Sequence, residues 1–155
     1  MSTLLGDCLT ESASGYKNKV AVQWKNNSIT YFELDSLTNK IAHIVKTICP
    51  ADSNRIGIYI DKSIEAVVAI FGILKAGCTY VPLDPKSPLE RISYIINNCQ
   101  LGILLTETNK LNKLASILPT VPHLKHIVNL TDRNGTEKHT DLNNCNYLTG
   151  RDIAS

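Results

Sequence analysis

Apolar residues along this chain follow two alternating rhythms. Leu34, Leu37, Ile41, Ile44, Val45 and Ile48 recur at mostly three- and four-residue intervals, which predicts one buried helix face, and Pro50 ends the run. Thr30 and Glu33 stand just ahead of it. That spacing lets the Thr hydroxyl accept one orphan backbone N–H while the Glu carboxylate reaches back to another. Upstream, Leu4 to Ser14 reads as a short helix, and Val20 to Trp24 as a strand. Lys25-Asn26-Asn27 turns that strand into Ser28-Ile29-Thr30.

Downstream the rhythm shortens and lengthens in turn. Arg55 to Ile60 reads as a strand, and a helix capped by Asp61 or Ser63 runs to Ala76. Its centre, Ala66 to Leu74, is apolar on nearly every side, which predicts a buried helix. Gly72 within it costs about 1 kcal/mol against alanine, a sign of close packing. Lys75 suits the negative end of the helix dipole, and Gly77 can supply a left-handed cap. Cys78 to Leu83 is a strand that Asp84-Pro85 stops. Ser87 as N-cap, Pro88 at the first helical position and Glu90 closing a box then predict a helix with Ile92, Ile95 and Ile96 inward. Leu101 to Thr106 reads as a strand, and Asn109 to Leu118 as a helix with Leu111, Leu114 and Leu118 inward. His126 to Leu130 reads as the last strand. Residues 131–155 are polar and weakly patterned, as in a loop or disordered tail. Strands alternating with helices predict an α/β subdomain over residues 1–130, built around a mainly parallel sheet.

Composition narrows the function classes. The 155 residues suffice for one domain, and 43% apolar with 19% charged residues is ordinary for a soluble protein. The 16 basic and 14 acidic residues are scattered, with no basic stripe or aromatic platform, which argues against nucleic acid as a partner. The N-terminus lacks a signal-peptide pattern, and no apolar run approaches the roughly 20 residues of a membrane span. A cytoplasmic protein with no membrane partner is expected. Five cysteines without a Cys-x-x-Cys suggest neither a disulfide framework nor a zinc site. The sequons at Asn26, Asn129 and Asn134 read as chance matches in an asparagine-rich chain.

Candidate chemistry is sparse. The familiar glycine-rich phosphate loops and the Gly-x-Ser-x-Gly elbow do not occur. His123 and His126 sit beside prolines ahead of a strand, rather than on one helix face, and His43 falls on a polar face. Cys78 follows a helix C-terminus, where the dipole raises a thiol pKa, so it reads as a small buried hydrophobe. Asp61 with Glu65, and Asp84 with Glu90, could divide acid and base roles, but they fit caps and solvated surface better. Residue by residue, the chain is a scaffold without a reaction centre.

Two stretches nevertheless resemble a known family. Ile29-Thr30-Tyr31-Phe32-Glu33-Leu34 resembles the first core motif of the adenylation domains of nonribosomal peptide synthetases. LKAGCTYVPLDP resembles their second core motif, with Leu74, Lys75, Ala76, Gly77, Tyr80, Val81, Pro82, Leu83, Asp84 and Pro85 in matching places. The run Pro88-Leu89-Glu90-Arg91-Ile92 and the strand Ile103-Leu104-Leu105-Thr106 fit as well, so the likeness covers roughly residues 4–130.

This resemblance implies the N-terminal subdomain of an adenylate-forming ligase. The parent would use ATP and magnesium to activate a carboxylate, an amino acid by the Val-Pro-Leu-Asp-Pro wording, as acyl-AMP with release of pyrophosphate. It would then pass the acyl group to a pantetheine thiol of a carrier protein or CoA. The family's phosphate loop is expected next, after a strand that Asp152-Ile153-Ala154-Ser155 resembles in its first step. The substrate pocket, the ribose-binding aspartate and the catalytic lysine of the family lie further on. No catalytic, cofactor-binding or metal residue is therefore assigned here, the motif residues are read as structural, and the chain alone is expected to be inactive. The remainder of the ligase is its expected partner, and an exposed sheet edge invites self-association. Alternatives are the same portion of an acyl-CoA or aryl-CoA ligase, a non-catalytic interaction module on this scaffold, and an unrelated flavodoxin-like domain.

Overall fold

In the computed structural model, which describes residues 5–49, 54–130 and the backbone of 147–149, two sheets form. Helix α1 (Leu5–Gly15) leads into an antiparallel hairpin of β1 (Val20–Trp24) and β2 (Asn27–Thr30). Lys25 takes the left-handed conformation (φ 55°) that a tight hairpin turn requires. Helix α2 (Tyr31–Ile48) starts on the expected capping box, with Thr30 as N-cap. Then β3 (Arg55–Tyr59), α3 (Ile64–Lys75), β4 (Thr79–Pro82), α4 (Leu89–Asn98), β5 (Ile103–Thr106), α5 (Leu111–Ile117) and β6 (His126–Asn129) alternate. A last strand, β7, spans Tyr147–Thr149.

The larger sheet has the order β4-β3-β5-β6-β7. Its first four strands are parallel, and β7 pairs with β6 antiparallel. Both faces are covered. Ile103 and Leu105 point into one core with α2 and α3, while Leu104 points into the other with Ile92, Ile96 and Leu114 from α4 and α5. This is why β5 reads as a continuous apolar run rather than an alternating one.

Several expectations shift by a residue or more. Ser63, not Asp61, caps α3, accepting the Ala66 N–H at 3.2 Å. Every residue of α3 is buried or half-buried, as its all-round apolar surface predicted. The box at Ser87 does not form. The Ser87 N–H closes a turn onto the Asp84 carbonyl at 3.0 Å, and α4 starts later with Pro88 as N-cap and no side-chain cap bond. The predicted 109–118 helix is a short α-helix between 3-10 turns at Thr108–Lys110 and Leu118–Thr120, with Leu114 and Ile117 as its buried residues. β7 interrupts a stretch read as loop or tail. Pro50, residues 131–146 and residues 150–155 lie outside those described, so the expectations placed on them are not addressed by the structure.

Candidate functional site

The second motif is tied to α2, the helix that the first motif starts. In the first, Thr30 and Glu33 exchange their bonds: Glu33 N–H to Thr30 Oγ1 at 3.2 Å, and Thr30 N–H to Glu33 Oε2 at 2.9 Å. Tyr31 lies half-buried against the first core, and Leu34 is buried in it. In the second motif, Gly77 (φ 77°) ends α3 in a Schellman turn. Its N–H reaches the Leu74 carbonyl at 3.0 Å, and the Cys78 N–H reaches Ile73 at 3.1 Å. Ala76 is the C-cap.

Lys75 makes that tie between the second motif and α2. Its side chain is only 8% exposed, and its Nζ lies 2.5 Å from Asp35 Oδ1 and 2.9 Å from Asn39 Oδ1, both on α2. Thr10 of α1 donates to the same Asp35 oxygen at 3.1 Å. Gly6 lets α1 approach, since a Cβ there would lie 2.8 Å from Lys75 Cγ. A surface cavity of about 350 Å³ opens beside this junction, between Asp7, His43, Lys46 and Leu74. The motif's other residues are also committed. The Thr79 N–H bonds to the Asn54 carbonyl just ahead of β3 at 2.8 Å, and the Leu83 N–H to the Ile58 carbonyl within it at 2.9 Å, so alternation turns the backbone of Tyr80 and Pro82 toward the open edge. Proline, lacking an N–H, loses nothing there. Val81 lies opposite Gly57 in the ladder, and Leu83 is buried in the second core. Asp84 Oδ1 accepts the Lys86 N–H at 3.0 Å across Pro85, fixing the turn.

A second polar group gathers where an open α/β sheet offers its crevice. The helix after β3 covers one face and the helix after β5 the other, so strand order reverses between them. At the carboxyl ends of these strands, Glu107 Oε1 accepts the Asp61 N–H at 3.1 Å, and Lys110 Nζ lies 3.0 Å from Asp61 Oδ2. Burial, foremost, holds the Glu107 carboxyl above its ordinary range, with the Asp61 charge adding to it. Tyr59, fully buried below, has its phenol raised by burial and partly relieved by Lys110. Its hydroxyl has no hydrogen-bond partner among the described residues. Asp61 is thus joined to Lys110 and Glu107, residues the sequence reading did not single out. Only the switch-point rule, applied after the strand order is known, brings them forward.

This crevice does not suit a triphosphate. It presents two carboxylates, its cation is already held by one of them, and among the described residues no glycine-rich N–H cradle faces it. Among the described residues, no three His, Cys, Asp or Glu side chains are grouped to hold a metal ion. His123 is exposed, and burial lowers the His126 pKa. The Cys78 thiol is pushed up to about 11 by burial and then by the neighbouring Cys49. No helix among the described residues is long and apolar enough to cross a membrane.

A parallel sheet covered on both faces, with its motif side chains engaged in packing, caps and turns, defines an α/β scaffold rather than a reaction centre among the described residues. The chain belongs to the AMP-binding enzyme family, whose model matches residues 9–150. It is 38% identical over 112 residues to gramicidin S synthase 2 of Brevibacillus brevis, covering 72% of this chain and 2% of that protein. Its fold superposes on the anthranilate CoA ligase AuaEII in complex with anthranoyl-AMP, with a TM-score of 0.74, 23% identity, and 81% of this chain against 24% of that one. The nonribosomal peptide synthetase FmoA3 gives a TM-score of 0.67 and 27% identity over 70% of this chain and 12% of its own. The chain therefore spans a quarter or less of each of these proteins.

Proposed function

We propose that this chain is the N-terminal portion of a ligase that activates an amino acid as acyl-AMP, with ATP and magnesium, and transfers it to a pantetheine thiol on a carrier protein. Residues 1–130 are the structural subdomain, and residues 131–155 lead toward the phosphate loop. The observation that carries the reading is the 38% identity over 112 residues to a peptide synthetase. The likeness to AuaEII, at 23% identity, speaks to the fold and not to the acyl acceptor.

On this reading the portion is structural and inactive by itself. Its motif polar groups are consumed internally: Lys75 by Asp35, Glu33 by the cap, and Asp84 by its turn. Its partner is the remainder of the ligase, in the cytoplasm, and the outer strand β4 supports weak self-association. Carboxylate-dependent ATP–pyrophosphate exchange by the longer protein carrying this chain tests the substrate class. Exchange with amino acids is the expected result, whereas exchange only with aryl or fatty acids, followed by CoA thioester formation, selects the acyl-CoA or aryl-CoA ligase alternative. Titration calorimetry of the chain alone should show no saturable ATP binding; tight binding would overturn its role as scaffold.

A further inference from the structure

Cys49 is the C-cap of α2, and Cys78 follows the Schellman turn into β4. The two are 29 positions apart, yet their Sγ atoms approach to 3.9 Å, each half-buried against the first core. Of the other described cysteines, Cys8 is exposed on α1 and Cys99 packs against the second core. A disulfide needs about 2.05 Å between sulfurs. Rotation of the two side chains is the movement that would have to close the remaining gap.

We propose that Cys49 and Cys78 are a modification site, a dithiol that a low-molecular-weight disulfide such as oxidised glutathione converts into a staple between α2 and β4. The Cys49 thiolate attacks one sulfur of the glutathione disulfide, that S–S bond breaks, and one glutathione thiolate leaves. Cys78 then gives its proton to solvent, its sulfur attacks Cys49 Sγ, and the second glutathione leaves. The protein loses two electrons and two protons, and one glutathione disulfide becomes two glutathiones. Cys78, pushed up to about 11 by burial and by its neighbour, carries little thiolate near neutral pH, so it is assigned the second step and not the first. Its second-step attack is intramolecular, which compensates for that low fraction. The bond would close a loop containing β3 and α3, and fix the corner that holds the second motif.

The test is incubation of the whole chain with oxidised glutathione, alkylation, digestion and peptide mass mapping. The expected product is a linked peptide pair carrying Cys49 and Cys78, lighter by two hydrogens, reversed by dithiothreitol, and melting several degrees higher than the reduced protein. In Cys78→Ser, Cys49 should stop at the glutathione adduct. The same oxidation in concentrated urea guards against a misfolded variant: selectivity for the 49–78 pair should vanish there. Recovery of both residues alkylated while Cys8 carries glutathione would overturn the proposal. So would equal selectivity in urea, or an unchanged melting temperature of the linked form.

Discussion

Gly72 decides how closely α2 and α3 approach. A Cβ added there would fall on Ile41 Cγ2 and lie 2.6 Å from Ile41 Cβ, an atom tied to the α2 backbone that cannot swing aside. Alanine gains about 1 kcal/mol of helix propensity, but overpacking of a tight core costs about 1–3 kcal/mol. Gly72→Ala should therefore destabilise by about 1–2 kcal/mol in urea titration, because the helices must part. Gly15→Ala, where nothing lies within 4 Å, is the control and should be neutral or slightly stabilising. Equal effects at the two sites would refute the packing account. Glu107 offers a titration at the same scale. Its folded pKa is raised above 4.5 chiefly by burial, so the folded state holds the proton more tightly than the unfolded one. The stability this contributes is full below pH 4.5 and is lost as pH rises through the raised value. Glu107→Gln keeps an oxygen for the Asp61 N–H and carries no charge. Its stability relative to the parent should improve as pH rises from 4.5 toward 7, and a pH-independent difference between the two would sink this account.

Helix starts show what local sequence can and cannot specify. The Thr30–Glu33 box was legible because both partners sit within one turn, and it forms as read. The Ser87 box carries the same kind of signature and fails, because the Ser87 N–H is already engaged by Asp84 in a proline-containing turn. Two local devices compete there, and the turn wins. Thr30→Ala should cost about 1 kcal/mol, the usual loss of a Thr cap. Ser87→Ala should stay within about 0.5 kcal/mol, the range of surface changes that touch no cap. Denaturant midpoints of both variants decide this, and a loss at Ser87 as large as at Thr30 would restore the rejected cap. Strands β3, β5 and β6 were equally legible, since burial on both faces writes itself as continuous apolar runs. β7 was not, because three residues give no period.

At the scale of the molecule, periodicity told which faces are inward but not which distant polar groups meet. Nothing local links Lys75 to Asp35, or Asp61 to Glu107; those pairings follow from the α2–α3 approach and from strand order. The sheet edge depends on the same kind of information. β4 is outermost, and its alternation leaves only Tyr80 with an outward N–H, because Pro82 has none. An edge with a single donor is a blunted template, weaker than a four-residue strand would otherwise present. Pairing with a second copy should therefore be reversible and weak, with a dissociation constant of about 1 mM, equivalent to roughly 4 kcal/mol. Sedimentation velocity over a concentration series should show monomer when dilute and a rising coefficient toward that range. Tyr80 is 37% exposed, so Tyr80→Lys should leave the ladder with β3 and the melting temperature intact while abolishing the rise. Association that persists in Tyr80→Lys would place the contact elsewhere, and a coefficient constant up to millimolar protein would remove β4 as an association surface.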